Sequence, residues 1–286
     1  MNLAGRPVNR IGYGAMQLPG KGVFGPPRDR DEALRVLRRA IELGVNHIAT
    51  SQYYGPDVAN ALIREALHPY PSDLVLVSKV GARRSDTGGW LPAEEPHELR
   101  EGVEANLRAL DIEALDVVNL RRIGTAAPAG YEPPDFGAQL DEMARLRDEG
   151  KIRGIGVSNV TTEQVAFAAD RVGLACVQNS FSLVAQDDAP TLELCRDLGI
   201  AYVPFFPLGP AFAGQGGTKL AVVDEPAVIA AAERLGVTPA QVGLAWLLTL
   251  GEHVLLIPGT SSVAHLEENV AVGAVVLDDV ALAALS

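Results

Sequence analysis

Residues Gly44–Gly55 read GVNHIATSQYYG. The short run Val45–Ile48 ends in a polar cluster that closes on Tyr53, Tyr54 and Gly55. A buried strand has this pattern when it delivers side chains to a site at its C-terminal end. Upstream, Arg30 to Leu43 carries apolar residues at Ala33, Leu34, Val36, Leu37, Ala40 and Ile41, which is one face of a helix. Gly44 stops that helix, so the order is helix, tight turn, strand, polar cluster.

The same unit recurs along the chain. Apolar runs at Ile11–Gly14, His47–Ala49, Leu74–Lys79, Asp116–Leu120, Ile155–Val157, Cys176–Gln178, Ala201–Pro204 and Val254–Ile257 read as strands. Helical patterns lie between them. Pro96–Leu110 and Phe136–Asp148 are two examples. Val160–Gln164 reads as a capped start, and Thr238-Pro239 as an N-cap and first turn. About eight strand–helix units predict a parallel sheet closed into a (β/α)8 TIM barrel, a single domain over residues 1–286. The connections Leu18–Pro27, Gly81–Pro96, Arg121–Asp135 and Phe206–Pro226 all follow strands. They therefore belong to the C-terminal face, where barrel enzymes build their pockets.

Composition narrows the function. The chain is 48% hydrophobic, enough for a sizeable core. Its 36 acidic and 24 basic residues give a net charge of −12. Such a surface repels nucleic acid and anionic membranes, so neither is expected as a partner. No window of about eighteen apolar residues is present, and the first residues lack a signal-peptide core. Cys176 and Cys195 have no metal-ligand spacing and read as buried thiols of a reducing compartment. The expectation is a cytoplasmic protein without a metal, monomeric or weakly homo-oligomeric.

The stretch resembles the signature of the aldo-keto reductases, where an aspartate ends this strand and a catalytic tyrosine follows five residues later. Tyr54 matches the tyrosine, and Ala49 stands where the family has aspartate. Lys79 matches the family's lysine. The family's histidine position, at the end of LDVVNLRR, is Arg121. The segments VNRIGYGAMQLPG, VFGPPRDR, REALHPY, VSKVGARR, WLPA, DVVNLR, YVPFFPLG and IPGTSSVAHLEEN are similar to a bacterial branch of that family resembling pyridoxal reductase, which also carries arginine there.

The resemblance implies NADPH as cofactor and a small carbonyl compound as substrate. Ser158, Asn159 and Gln178 match ligands of the nicotinamide carboxamide, and Phe205 the ring against its face. Pro207, Leu208 and Gly209 match the backbone beside the pyrophosphate. Gly14, Ala15, Met16, Phe206 and Pro258 fall in the same cofactor segments. Gly259, Thr260, Ser261, Ser262 and His265 would meet the adenosine 2′-phosphate, and Glu268 and Asn269 the adenine. A Ser/Thr-rich turn into a helix start suits a phosphate on its own chemistry. Gly259 and His265 replace the lysine and arginine of many members, which weakens that charge contact. Phe24, Tyr53 and Trp90 are placed in the substrate pocket with Arg121. No strand-linked GxGxxG is present, which argues against a Rossmann site.

Ala49 sets the functional question. A tyrosine needs a neighbouring ammonium to donate a proton near neutral pH. An unpaired buried lysine tends to lose its charge, at a cost on the order of 10²–10⁴ in general-acid rate. Arg121 can stabilise an oxyanion but cannot act as a base. Three readings follow: a reductase of low activity, a dinucleotide-binding barrel turned to isomerisation or cyclisation, and a non-catalytic nucleotide sensor.

Overall fold

Hydrogen bonds along the chain assemble the strand runs into one curved parallel sheet. The structure is a computed structural model that describes residues 1–124, 127–209 and 221–285. Its strands are β1 (Asn2–Leu3), β2 (Arg6–Pro7), β3 (Tyr13–Gly14), β4 (His47–Ala49), β5 (Val75–Arg84), β6 (Trp90–Ala93), β7 (Leu115–Arg121), β8 (Ile152–Ser158), β9 (Cys176–Gln178) and β10 (Ala201–Tyr202). The parallel order is β3-β4-β5-β7-β8-β9-β10. The expected eighth strand, Val254–Ile257, forms single bridges instead of a ladder. The Leu255 N–H donates to Tyr202 O at 2.9 Å, and the Gly12 N–H donates to Leu256 O at 2.7 Å. That segment joins β10 to the start of β3 and closes the (β/α)8 ring.

Helices α1 (Arg30–Glu42), α2 (Val58–Leu67), α3 (Pro96–Leu110), α4 (Phe136–Asp148), α5 (Thr162–Val172), α6 (Ala189–Leu198), α7 (Pro226–Leu235), α8 (Pro239–Thr249), α9 (Val263–Ala271) and α10 (Asp279–Ala284) surround it. Asp29 caps α1 by accepting from the Glu32 N–H, and Gly44 takes φ +83° just after it.

Alternation along β5 sorts the core. Val75 and Val77 face the barrel interior with Val117, Cys176, Ala201 and Leu255. Leu76 and Val80 face the helices. The β1–β2 hairpin plugs the lower end through Leu3 and Val8. His47 is also interior. A Cβ on Gly12 would fall 2.2 Å from its Nε2, so that glycine is what lets the imidazole fit.

One expected loop is a hairpin. The connection read as Gly81–Pro96 continues β5 to Arg84 and pairs it antiparallel with β6, Arg84 opposite Trp90. The turn between them needs Gly88 at φ +83°. The sequence hid this because Gly81 and Pro92 are both weak strand formers. Of the expected connection Phe206–Pro226, residues 210–220 lie outside the described residues. No helix among the described residues is long and apolar enough to cross a membrane.

Candidate active site

β4 ends at Ala49, which pairs with Gly14 on one side and Val77 on the other. The Thr50 N–H continues the ladder to Val77 O at 2.8 Å. Behind the strand, Thr50 Oγ1 donates to Asn60 Oδ1 at 2.8 Å, and Asn60 Nδ2 donates to Asn106 Oδ1 at 2.9 Å. Ser78 Oγ donates to the same Asn106 oxygen at 2.6 Å. This buried network ties Thr50 to α2, α3 and β5, and a satisfied buried network is rigid. It fixes the Thr50 carbonyl, which accepts from Lys79 Nζ at 3.1 Å.

Lys79 projects from β5 into the interior, one step above Val77. Its ammonium lies 5.2 Å from the centre of the Tyr54 ring. No carboxylate among the described residues pairs with it; Ala49 has none to offer. Burial pulls Lys79 down to about 8, against the opposing pull of Tyr53, while Arg121 lowers it further. Burial likewise pushes Tyr54 up to about 12, partly offset by Arg121. Burial also opposes the charge on Arg121, but the Tyr53 and Tyr54 hydroxyls nearby leave it above its usual value. At neutral pH the site therefore holds a neutral phenol, a fixed guanidinium and a lysine close to titration.

Arg121 ends β7, opposite Ser158 of β8. Its guanidinium sits 5.6 Å from the Trp90 ring, and that of Arg84 sits 4.1 Å from the same ring. Tyr53 meets Trp90 edge-on at 5.4 Å and Tyr54 at 5.4 Å. Arg84 also faces Phe24, at 5.4 Å. The expected substrate residues Phe24, Tyr53 and Trp90 thus form one cation–aromatic stack on the hairpin side of the mouth. Tyr53 is 1% exposed, so it braces Tyr54 and Trp90 from behind.

A cleft of about 550 Å³ opens beside these groups. Ala49, Tyr54, Lys79 and Arg121 line its inner end. Gly14, Met16, Ser158, Gln178, Phe205 and Phe206 line its middle. Pro207, Leu208, Gly209, Pro258, Gly259 and Thr260 continue it outward to His265, Glu268 and Asn269. Four expected cofactor residues lie off the cleft. Ala15 is fully buried. Asn159, at φ +58°, donates its Nδ2 to Arg122 O at 2.8 Å, which ties it to the β7 exit. Ser261 and Ser262 precede α9 without lining the cleft, and the Ser262 N–H donates to Thr260 Oγ1 at 3.1 Å.

The cleft floor carries unmet hydrogen-bonding capacity. Ser158 Oγ and Gln178 Oε1 are buried and have no partner among the described residues. Such groups cost roughly 1–3 kcal/mol each when left unpaired. Adjacent, side-by-side on β8 and β9, they fit the two ends of a carboxamide. Gly14 and Gly259 complete the fit: a Cβ on Gly14 would meet Ile257 O at 2.5 Å, and one on Gly259 would meet Gly14 O at 2.7 Å. The backbone can hug a ligand there because neither position has a side chain. Tyr13 Oη pins the turn by donating to Thr260 O at 2.6 Å. The helix-terminal N–H of Val263 is not free as the sequence suggested. It donates to Glu32 Oε1 of α1 at 3.0 Å.

Gln17, Val223, Thr238, Pro239, Ala240 and Ile257 line the cleft without having been expected there. Thr238-Pro239 was legible only as a helix start. Its place in the cleft follows from Gln241 Nε2, which donates to Glu268 O at 3.0 Å and holds α8 against α9. Among the described residues no cluster of three or more His, Cys, Asp or Glu is placed to hold a metal ion.

The sequence model of the aldo/keto reductase family matches residues 10–286. The chain belongs to that family. It is an oxidoreductase of that type. Pyridoxine 4-dehydrogenase of Escherichia coli is 50% identical over 271 residues, covering 94% of this chain and 91% of that protein. Among solved structures, an aldo/keto reductase from Klebsiella pneumoniae in complex with NADP and acetate is 26% identical, with a TM-score of 0.77. The match covers 97% of this chain and 90% of that one. A second Klebsiella pneumoniae structure, in complex with NADPH, is 27% identical with a TM-score of 0.78, covering 97% and 90%.

Proposed function

We propose that this family member is an NADP(H)-dependent reductase of small aldehydes or ketones whose turnover is lowered by Ala49. The observation that carries the cofactor reading is the unpartnered pair Ser158 Oγ and Gln178 Oε1 on the floor of a cleft whose inner end holds Tyr54 and Lys79. NADPH, when bound, supplies the hydride.

The chain's own residues do the rest. Ser158 and Gln178 hold the carboxamide and so fix which face of the ring turns inward. Phe205 packs beside it, and its backbone is fixed by the Phe205 N–H donating to Asn179 O at 2.9 Å. The adenosine end lies along Thr260, His265, Glu268 and Asn269. Arg121 stabilises the oxygen of the substrate as negative charge grows on it. Tyr54 gives that oxygen its proton, and a charged Lys79 makes the phenol a better donor. In this chain Lys79 is anchored by a neutral carbonyl, so its charge, and with it the help it gives Tyr54, is lost as pH rises through about 8. The similarity to pyridoxine 4-dehydrogenase favours an aromatic carbonyl or alcohol of that size as the substrate pair.

Titration of NADPH against the fluorescence of Trp90 and Trp246 tests the reading. Saturation is expected well below 1 mM, with a raised Tm. No saturable signal below roughly 1 mM, about −4 kcal/mol of binding, together with no thermal shift, would overturn it.

A further inference from the structure

Lys79 differs from the other lysines among the described residues. The sequence has four, at positions 21, 79, 151 and 219. Lys151 is paired with Glu104 at 2.6 Å and Glu149 at 3.1 Å. Lys79 lies in the wall of the cleft, 6% exposed, and among the described residues its Nζ hydrogen-bonds to the Thr50 carbonyl alone. A carbonyl oxygen accepts from a neutral amine as well as, more strongly, from an ammonium, so this anchor survives loss of the charge, which a carboxylate partner would oppose far more. Ala49 beside it supplies a methyl group and leaves the amine side of the cleft uncrowded.

We propose that Lys79 is also a nucleophile, which captures aldehydes entering the cleft as an imine. This rests on the reading of the cleft as an aldehyde site but not on hydride transfer.

The step balances without an oxidant or reductant. The Nζ lone pair forms a bond to the aldehyde carbon, and the carbonyl π pair moves to oxygen. That oxygen takes a proton from Tyr54 or water while Nζ gives one up, leaving a carbinolamine. Protonation of its hydroxyl and loss of one water, with departure of the remaining Nζ proton, gives the imine. Arg121, within electrostatic reach of Lys79, stabilises the oxygen anion of the first stage. The products are one imine and one water, and the reverse reaction restores the free lysine.

Burial and Arg121 favour the neutral amine at Lys79, while Tyr53 and Cys176 oppose them. Tyr53 and Tyr54 face it from the segment after β4, Arg121 from β7 and Cys176 from β9. Asn119 beside it in register on β7 is neutral. The one charged neighbour among them at neutral pH is a cation, which disfavours a second positive charge. The amine titrates near 8, within reach of a working nucleophile.

The test uses the full chain without cofactor, 4-pyridinecarboxaldehyde as probe and cyanoborohydride to fix the imine. Peptide mass mapping then locates the reduced adduct. At pH 8 Lys79 should be labelled at least about tenfold faster than Lys21 or Lys151. Its labelling rate should rise through a midpoint near pH 8. Ala49→Asp, which supplies a carboxylate, should slow labelling of Lys79 by at least about tenfold and leave Lys21 unchanged. Labelling of Lys79 no faster than that of Lys21 would overturn the proposal, as would unchanged labelling in a folded Ala49→Asp chain. Should that variant not fold, a rate in the unaltered chain still rising steeply above pH 9 would overturn it. NADPH titration of the same sample reports separately on the reductase reading, so either can fail alone.

Discussion

Lys79 Nζ and the Thr50 carbonyl oxygen stand 3.1 Å apart, and no carboxylate among the described residues pairs with that amine. The carbonyl orients the amine but does not hold its charge. The consequences divide into those that concern binding, those that concern the fold around the site, and the one that concerns the missing carboxylate.

Ser158→Ala separates binding from structure. The hydroxyl has no partner among the described residues, so its removal should leave stability unchanged or raise it by up to about 1 kcal/mol. The Kd for NADPH should rise about fivefold, because one polar contact to the carboxamide is lost, roughly 1 kcal/mol. Urea unfolding and fluorescence titration measure the two. A loss of stability with unchanged Kd would mean that Ser158 serves the fold alone.

Glu32 stands at the turn proposed to meet the cofactor's phosphate. Its carboxylate accepts from the Val263 N–H, and that bond, with Arg35, holds its acidity high. A negative charge at the start of α9 disfavours a 2′-phosphate nearby. Glu32→Gln should therefore tighten NADPH relative to NADH by about threefold, less at high salt. Paired titrations with the two nucleotides at low and high ionic strength check it. An unchanged ratio would move the phosphate away from this turn.

His47 makes the barrel interior acid-sensitive. Neither ring nitrogen has a partner among the described residues, and burial lowers the imidazole to about 4. The unfolded chain then binds a proton that the folded chain refuses between about pH 6.5 and 4, so stability falls as pH drops through that window. The loss is about 2 kcal/mol between pH 7.5 and 5. His47→Val should flatten this slope, measured as the difference in urea unfolding free energy at the two pH values. An equal slope in both proteins would assign the acid sensitivity elsewhere.

Gly81 carries Arg121. At φ +105° its ideal Cβ would lie 2.1 Å from Arg121 O, a backbone atom that cannot turn aside. Gly81→Ala should cost about 2 kcal/mol or more and shift the arginine. Unfolding midpoints report the first effect, and a raised KM for the aldehyde reports the second. A variant with wild-type stability would contradict the close approach.

Much of this site was legible in the sequence because it is local. Gly44–Gly55 carries its own strand, turn and tyrosine, and Lys79 and Arg121 each end an apolar run. Tertiary features were not legible. The β5–β6 hairpin depends on Gly88 and on Trp90 meeting Arg84, with two weak strand formers between. The place of Thr238–Ala240 in the cleft depends on the packing of α8 on α9. The bond from Asn159 Nδ2 to Arg122 O joins two strand exits that no local pattern brings together. The eighth strand was placed correctly but pairs through single bridges, since its neighbour β10 spans only Ala201–Tyr202.

Turnover of a reactive aldehyde with NADPH in Ala49→Asp, with and without Tyr54→Phe, bears most directly on the account. The new carboxylate should keep Lys79 protonated, and Tyr54 should then donate more readily. In the unaltered chain Lys79 is charged below about 8, so kcat should fall as pH rises through 8; in Ala49→Asp that fall should move to higher pH. A rise in kcat of at least about tenfold is expected at pH 9, where Lys79 of the unaltered chain has largely lost its proton, and Tyr54→Phe should remove it. No rise in a folded variant that still binds NADPH, or a rise that survives Tyr54→Phe, would contradict it.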